Sequence, residues 1–227
     1  MHKGELAVIT GGSSGLGLGL VRACLERGMR VVFTYRTESH RDESLALLGD
    51  HASVAALPLE RQNREAVLEQ VGWREQRRGV PSLVVANAGI SGGTGTAHEP
   101  VEQARRIFAV NVTGVLNTAL PAIALMAAQP PGTGGRRGQV AVIASIAAFV
   151  AAPGAPAYCA SKSAVQSWAE ALDVTERRRG IRVSAVCPGY VRTPMTARNP
   201  FPMPLLMEPE EAARRILAGF AAGRSRV

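Results

Sequence analysis

The segment 145–162 places a hydroxyl, a phenol and an ammonium within eighteen residues of otherwise small and apolar sequence. Tyr158 and Lys162 are four residues apart, so on a helix their side chains share a face, with about 5–6 Å between Cβ atoms. An ammonium beside a phenol favours the phenolate, so we expect Lys162 to lower the pKa of Tyr158 from about 10. The pair could then act as an acid/base group near neutral pH. The alternative is an amphipathic helix that merely carries both residues.

Ser145 follows the apolar run 139–144, which predicts a buried strand that delivers the hydroxyl to a sheet edge. Similar runs alternate with helical patterns along the chain. These runs are apolar throughout and do not alternate with polar residues, as expected when both sheet faces are covered. This alternation predicts an α/β fold: a doubly wound parallel sheet with helices on both faces, in a single domain over 1–227. Strands are predicted at 5–10, 30–35, 53–57, 82–87, 139–144 and 181–186, and helices at 15–27, 39–48, 63–77, 99–128, 157–179 and 208–222.

The first predicted strand leads into a helix through a turn that contains Gly11, Gly15 and Gly17. Glycine lets backbone amides approach a diphosphate closely, and a helix N-terminus adds positive potential. The spacing differs from G-x-G-x-x-G, and a tight turn without a ligand would also use glycines. Its place after the first strand favours a nucleotide-binding turn.

The second predicted strand is followed by Arg36 and Thr37, with no acid before Glu38. In dinucleotide folds an acid at this point binds the ribose 2′-hydroxyl of NAD, whereas a cation suits a 2′-phosphate. The pattern therefore favours NADP(H) and leaves NAD(H) possible. The alternative is that Arg36 is an ordinary solvated surface arginine.

Polar residues also follow the third and fourth strands, at the edge where parallel sheets bind ligands. Glu60 follows the third, and Asn87, Ala88 and Gly89 follow the fourth. Asn111 lies within the apolar helix 99–128, where an amide must find hydrogen-bond partners. Its pattern leaves a structural tie and a catalytic role equally open.

Composition narrows the class of protein. The 26 basic residues exceed the 18 acidic ones, but only Lys3 and Lys162 are lysines, and the arginines are scattered without interleaved aromatics. We therefore expect no nucleic-acid partner. No apolar run approaches the roughly 18 residues of a spanning helix, and no signal peptide precedes the first strand, so we expect no membrane association. The cysteines form neither a disulfide framework nor a metal-ligand spacing, which predicts a cytoplasmic protein without a metal.

Six motifs occur in a specific order: TGGSSGLG at 10–17, NAG at 87–89, Asn111, Ser145, YCASK at 158–162 and PGYVRT at 188–193. With them the chain resembles the short-chain dehydrogenase/reductase family over nearly its whole length. The resemblance implies a Rossmann-like fold and hydride transfer between a nicotinamide and a carbonyl or alcohol carbon. It implies Asn111, Ser145, Tyr158 and Lys162 as the catalytic set. The implied cofactor-binding residues are Gly11, Ser13, Ser14, Gly15, Leu16, Gly17, Arg36, Thr37, Glu60, Asn87, Ala88, Gly89, Tyr158, Lys162, Pro188, Gly189, Val191 and Thr193.

The chain also departs from the family pattern. Glu60 stands where an Asp is usual, Ala86 replaces a frequent Asn, and a seventh strand is expected to be truncated or short near residue 227. The resemblance further implies a homodimer or homotetramer, with 99–128 and 157–179 as dimer helices.

The apolar, Pro-rich segment 195–207 lies within a substrate lid expected near 190–208. With Ile90, Phe149 and Val150 it predicts an apolar pocket for a small ketone or secondary alcohol. We thus expect an NADP(H)-dependent carbonyl reductase. The alternatives are an NAD-dependent alcohol dehydrogenase of the same family and a non-catalytic nucleotide-sensing module; against the latter, neither the Tyr nor the Lys is lost.

Overall fold

The computed structural model describes residues 3–49, 53–58, 79–92 and 98–227. Within these ranges six strands form one parallel sheet in the order β3-β2-β1-β4-β5-β6. From β1 the chain adds strands outward to β3 at one edge, and from β4 it adds them outward to β6 at the other edge. This order confirms the predicted doubly wound sheet. The strands are β1 (Leu6–Ile9), β2 (Arg30–Tyr35), β3 (Val54–Pro58), β4 (Leu83–Ala86), β5 (Gly138–Ile143) and β6 (Ile181–Val186).

Helices connect the strands and lie on both faces of the sheet. The predicted helix 63–77 lies outside the described residues. The predicted helix 99–128 begins at Val101 and contains a π-helical turn, Ala109–Thr113, without a break. The helices are α1 (Gly15–Glu26), α2 (Glu38–Leu48), α3 (Val101–Phe108), α4 (Gly114–Ala128), α5 (Pro156–Glu176) and α6 (Pro209–Ala221).

Each sheet face has its own apolar core. Ile9 on one face packs in a cluster with residues of α1 and α6, and Val8 on the other packs in a cluster with residues of α4 and α5. The helices α1 and α6 come into close contact: a Cβ on Gly19 would lie 2.7 Å from the carbonyl oxygen of Pro209. Coverage of both faces explains why the strands read as continuous apolar runs.

The continuous helix Val101–Ala128 is long and apolar enough to span a membrane by length and composition. The expectation that no stretch approaches this length was wrong, because the helix continues through Gly114 and Pro121 without a break. Buried residues of α4, such as Val115 and Met126, belong to the core cluster on one face of the sheet. The helix therefore packs as a core element of the fold.

The last three residues of the chain lie beside β6. The amide of Ala185 donates to the carbonyl of Ser225 (2.8 Å), and the amide of Cys187 donates to that of Val227 (2.7 Å). Arg226 forms a parallel bridge with Ala185. This short pairing occupies the position of a seventh strand, as the sequence predicted.

Asp173 joins α5 to β6 and is almost completely buried, with 1% of its side chain exposed. Its carboxylate accepts hydrogen bonds from the Val183 amide (2.9 Å) and from Arg182 Nε (3.2 Å), and it pairs with Arg177. Burial alone would raise the pKa of this carboxyl, but the donors and cations together hold its pKa below the usual value. Asp173 therefore stabilises the fold in its ionised form.

We expect Asp173→Asn to lower the free energy of unfolding at pH 7 by about 2–4 kcal/mol, because the buried carboxylate loses its charge-assisted contacts with Arg177 and Arg182. The folded-state pKa is depressed, so the stabilisation is complete above the unfolded-state pKa of about 3.9 and is lost as the pH falls through the folded value. In urea unfolding, the difference in unfolding free energy between wild type and variant should be smaller near pH 3 than at pH 7.

The matched control is Glu211→Gln, which removes an exposed i,i+4 ion pair with Arg215. It should change the unfolding free energy by less than about 1 kcal/mol. Equal losses in the two variants, or a gap that widens in acid, would contradict the role of Asp173.

Candidate active site

Ser145 lies just beyond β5, where the strand delivers it to the carboxyl edge of the sheet. It is buried, with 9% of its surface exposed, and its hydroxyl accepts a hydrogen bond from the Ala147 amide (3.1 Å) at the start of a short 3₁₀ turn, Ile146–Phe149. The Ser145 side chain is close enough to Tyr158 to lower the pKa of its phenol. The structure thus brings together two residues that are thirteen positions apart in the sequence.

Tyr158 and Lys162 lie in the first turns of α5, which begins at Pro156. Proline suits this position because its missing N–H would have no helical partner there. Lys162 Nζ lies 5.7 Å from the centre of the Tyr158 ring and donates a hydrogen bond to the Ile143 carbonyl (2.7 Å). The lysine is therefore anchored to the end of β5 with its charge beside the phenol, as the i,i+4 spacing predicted.

Burial dominates the electrostatics of this pair. It raises the pKa of Tyr158, which the nearby Ser145 side chain only partly offsets. It also lowers the pKa of Lys162 to about 8, against a smaller opposing effect of Cys187. The prediction that Lys162 holds the pKa of Tyr158 below its usual value was wrong for this structure. The reason is that removal from water disfavours both charges, so the pKa of the phenol rises, that of the ammonium falls, and the two values move apart.

Asn111 is fully buried in the π-helical turn between α3 and α4. Its Oδ1 accepts from the Ile90 amide (2.9 Å), and its Nδ2 donates to the Ile90 carbonyl (2.9 Å) and to Ser161 Oγ (3.1 Å). The amide thereby links the segment after β4 to α5. These contacts support the structural interpretation. A Cβ on Gly89 would lie 3.3 Å from Asn111 Oδ1 and 3.5 Å from Lys162 Nζ, so Asn111 also lies beside the lysine.

The glycine turn between β1 and α1 has the geometry of an anion cradle. Gly11 and Gly15 have φ angles of +65° and +52°, which L-residues with side chains rarely adopt. Ser14 precedes α1 but makes no side-chain cap, so amides of the first helical turn are left for a ligand. The buried Leu16 side chain belongs to the core, so only its backbone could contact that ligand. Ser13 is half-buried and Ser14 is exposed.

Asn87 has a different role from the one its position suggested. Its Nδ2 donates to the carbonyls of Thr10 (2.9 Å) and Gly11 (3.1 Å). A Cβ on Gly17 would lie 2.6 Å from this Nδ2 and 2.2 Å from the Gly11 oxygen. The side chain of Asn87 therefore holds the glycine turn against the end of β4, and Gly17 leaves room for it.

Thr10 is a structural member of the site that our list of candidate residues omitted. Its Oγ1 accepts from the amides of Asn87 (3.0 Å) and Ala88 (3.1 Å), and the residue is 2% exposed. The available signal was a threonine at the end of one strand with an amide residue at the end of another. The sequence did not show that these two strands, β1 and β4, are neighbours.

The segment 188–193 lies between Ser145 and the glycine turn. The Ile146 amide donates to the Pro188 carbonyl (3.0 Å), and a Cβ on Gly15 would lie 2.9 Å from Thr193 Cγ2. Val191 is buried, whereas Gly189 is exposed with open space around it. The structure thus brings this segment into contact with both halves of the predicted site.

At the end of β2, Thr37 caps α2 by accepting a hydrogen bond from the His40 amide (3.4 Å). Glu38 accepts from the Tyr35 hydroxyl (3.0 Å) and pairs with Arg41, so its charge is already compensated. Arg36 is exposed and has no ion pair or hydrogen bond within the described ranges. Glu60 lies outside those ranges.

The presence of only two lysines makes the Lys162 pKa directly measurable. In protein labelled with ¹³C and ¹⁵N at lysine, we expect one side-chain signal to titrate with a midpoint about 8. Lys162→Met should remove that signal, whereas Lys3→Arg should leave it in place. Because the pKa is lowered by burial, the charged lysine is favoured below pH 8 and the neutral amine above it. A Lys162 midpoint above about 10 would contradict the geometry.

Comparison with known proteins finds relatives over nearly the whole chain. Residues 5–201 match the family model described as short chain dehydrogenase. An uncharacterized oxidoreductase of Myxococcus xanthus is 36% identical over 225 residues, covering 97% of this chain and 85% of that protein.

Two solved structures share the fold at 26% identity. A short-chain dehydrogenase from Sphingobium yanoikuyae in complex with NADPH has a TM-score of 0.83, covering 98% of this chain and 87% of that one. A 3-ketoacyl-(acyl-carrier-protein) reductase from Brucella melitensis complexed with NADH has a TM-score of 0.85, covering 96% of this chain and 90% of that one. With the matched family model and the Ser145, Tyr158 and Lys162 geometry, the chain belongs to the short-chain dehydrogenase family of oxidoreductases.

Proposed function

We propose that this protein is an NADP(H)-dependent oxidoreductase that interconverts a carbonyl group and a secondary alcohol, with an apolar ketone as substrate. The observation that carries the proposal is the cluster of Ser145, Tyr158 and Lys162: Ser145 is near enough to affect the pKa of Tyr158, and Lys162 lies beside the Tyr158 ring. The cluster lies at the carboxyl edge of the sheet, where α/β proteins bind ligands.

The residues of the glycine turn fit a dinucleotide cofactor. A side chain on Gly15 would meet Thr193, and one on Gly17 would meet the Gly11 oxygen, so the turn can remain open to a ligand only with glycines. The uncapped amides at the start of α1 suit a diphosphate. When bound, the nicotinamide would supply or accept the hydride. We assign the remaining cofactor contacts to the other residues that the family resemblance implied.

The raised pKa of Tyr158 suits the reduction direction, because it keeps the phenol protonated and able to donate to the substrate oxygen. The Ser145 hydroxyl would stabilise the same oxygen as it gains negative charge. Lys162, with a pKa of about 8, can exchange protons near physiological pH and would also hold the ribose hydroxyls. These three residues thus provide the proton that balances the hydride.

Asn111 would hold a water that passes protons to Lys162. Both of its amide hydrogens are already donated, to the Ile90 carbonyl and to Ser161. Its Oδ1 accepts only the Ile90 amide, and so has one lone pair left for a water beside the lysine.

Cofactor preference follows from the charges near β2. Arg36 is exposed without a partner among the residues that the structure describes, and the nearest acid, Glu38, is paired with Arg41. An unpaired guanidinium suits a 2′-phosphate, whereas a compensated carboxylate is a poor acceptor for a 2′-hydroxyl. NAD(H) remains the alternative cofactor.

The segment 190–208 supports an apolar substrate. Its two ends pair where Val191 bridges Met207, and the rings of Tyr190 and Phe201 lie 6.2 Å apart. Between these points Met195, Phe201 and Leu205 are exposed, Leu205 by 94%. Exposed apolar side chains on a loop beside a site are suited to cover an apolar ligand. We propose this segment as the lid of a single domain.

We also propose a cytoplasmic homodimer or homotetramer that pairs through α3, α4 and α5. Phe108, Leu120 and Val174 on these helices are exposed apolar residues that a partner would cover. Sedimentation equilibrium decides this point, since a monomer would contradict it.

We expect Tyr158→Phe to lower kcat for ketone reduction by about 10²–10⁴-fold, because the substrate oxygen loses its proton donor. NADPH consumption over a panel of apolar ketones measures kcat, and NADPH fluorescence measures binding. The dissociation constant for NADPH should stay within about threefold, which also shows that the variant folds. Turnover retained in this variant would contradict the assignment. Wild-type preference for charged sugar phosphates would contradict the apolar substrate.

We expect Arg36→Ala to raise the KM for NADPH by about 10–100-fold, since a charge-assisted contact contributes about 1.5–3 kcal/mol. The KM for NADH should change by less than about threefold, because NADH lacks the 2′-phosphate. Arg214→Ala, at an exposed position on α6, is the matched control and should leave both constants unchanged. Equal effects of Arg36→Ala on the two cofactors would favour the NAD-dependent alternative.

A further inference from the structure

The last residues of the chain contact the turn that follows Ser145. The Arg226 guanidinium lies over the ring of Phe149, 5.2 Å from its centre, and forms a two-pronged ion pair with Glu170 of α5. Phe149 is the last residue of the 3₁₀ turn that begins beside Ser145. Arg226 therefore links three segments that are far apart in sequence.

The base from which Arg226 extends is well anchored. The backbone of 225–227 is hydrogen-bonded to β6, including the Val227 amide to the Ala185 carbonyl (2.9 Å). Val227 packs against α6 so closely that a Cβ on Gly219 would lie 2.6 Å from its Cγ1. Successive side chains on a strand point to opposite faces, so Arg226 is directed toward α5 while Val227 faces α6.

The turn that Arg226 contacts is less well buried. Phe149 and Val150 are 52% and 57% exposed, so packing against the interior holds only part of each side chain. An arginine over an aromatic face is a directional attraction, and the pairing with Glu170 keeps the guanidinium in place. The contact thus adds a restraint where apolar burial alone provides little.

Movement of this turn would reach the reacting groups. The Ala147 amide is the donor that orients the Ser145 hydroxyl, and the Ile146 amide is bonded to the Pro188 carbonyl. The same C-terminal residues hold the other side of this junction, since the Cys187 amide donates to the Val227 carbonyl (2.7 Å). Residues 225–227 therefore contact both segments that meet at Ser145.

We infer that Arg226 is a positioning residue for the substrate pocket: through Phe149 it holds the turn 146–150 in the geometry that orients Ser145 and presents Val150 to the substrate. The kinetic part of this inference rests on the proposed function. The structural part concerns only the restraint on the turn, and is independent of any activity.

The restraint is tested by amide hydrogen exchange on the protein without substrate. In Arg226→Ala, exchange in peptides covering 146–157 should become about tenfold faster, because the local opening of the turn becomes easier. Arg226→Lys keeps a cation over the ring and should stay within about threefold of wild type. Arg215→Ala removes an arginine from a comparably exposed ion pair with no ring contact, and should leave these peptides unchanged.

The kinetic readout uses the same three variants. In Arg226→Ala the KM for an apolar ketone should rise by about five- to tenfold while kcat stays within about threefold, and Arg226→Lys should restore most of the loss. Unchanged exchange at 146–157, or an equal rise over the whole chain, would show a general role in stability and overturn the inference. Faster local exchange with an unchanged KM would also overturn it.

The two proposals can fail separately. If wild type consumed no NADPH with any ketone, the proposed function would fail. The exchange result would still decide whether Arg226 restrains the turn.

Discussion

The buried amide of Asn111 is the interaction on which the rest of the site depends. It is completely removed from water, and each of its groups is paired, with both polar groups of the Ile90 backbone and with Ser161. A buried amide without partners would be costly, so the segment after β4 and the helix α5 are held at one distance. That distance sets where Lys162, one residue beyond Ser161, lies relative to Gly89. The π-helical turn places the amide at this depth.

Burial also sets the acid/base properties of Tyr158 and Lys162. In water a phenol and an ammonium titrate at similar, high pH, with the charged lysine stable at neutrality. Here burial raises the pKa of Tyr158 and lowers that of Lys162 to about 8, so each group is shifted toward its neutral form. A protonated phenol is suited to donate a proton during reduction. A lysine whose pKa lies near physiological pH is suited to take up a new proton from solvent. The same burial therefore shifts the pKa values of both side chains.

Much of this arrangement was predictable. The six strands, the glycine turn and the closeness of Lys162 to Tyr158 follow from apolar runs, glycine placement and i,i+4 spacing, which are local properties of the chain. The effect of Lys162 on the Tyr158 pKa was not predictable, because proximity favours the phenolate whereas burial opposes it, and only coordinates give the depth of burial. The role of Asn87 was missed for a similar reason: its partners Thr10 and Gly11 lie on a neighbouring strand whose adjacency the sequence does not state.

The amino-acid sequence by itself indicated the fold class, the glycine turn after β1 and the family of the chain, because each depends on residue type, short-range spacing and the order of motifs. The tertiary structure alone decided what surrounds the segment 145–162 with which the sequence analysis began. It placed the Arg226 guanidinium over the ring of Phe149, and it placed Lys162 where its ammonium donates a hydrogen bond to the Ile143 carbonyl. Contacts of this kind depend on strand order and on which side of a strand each side chain points. Parallel strands acquire both through long-range packing, which short-range spacing does not encode.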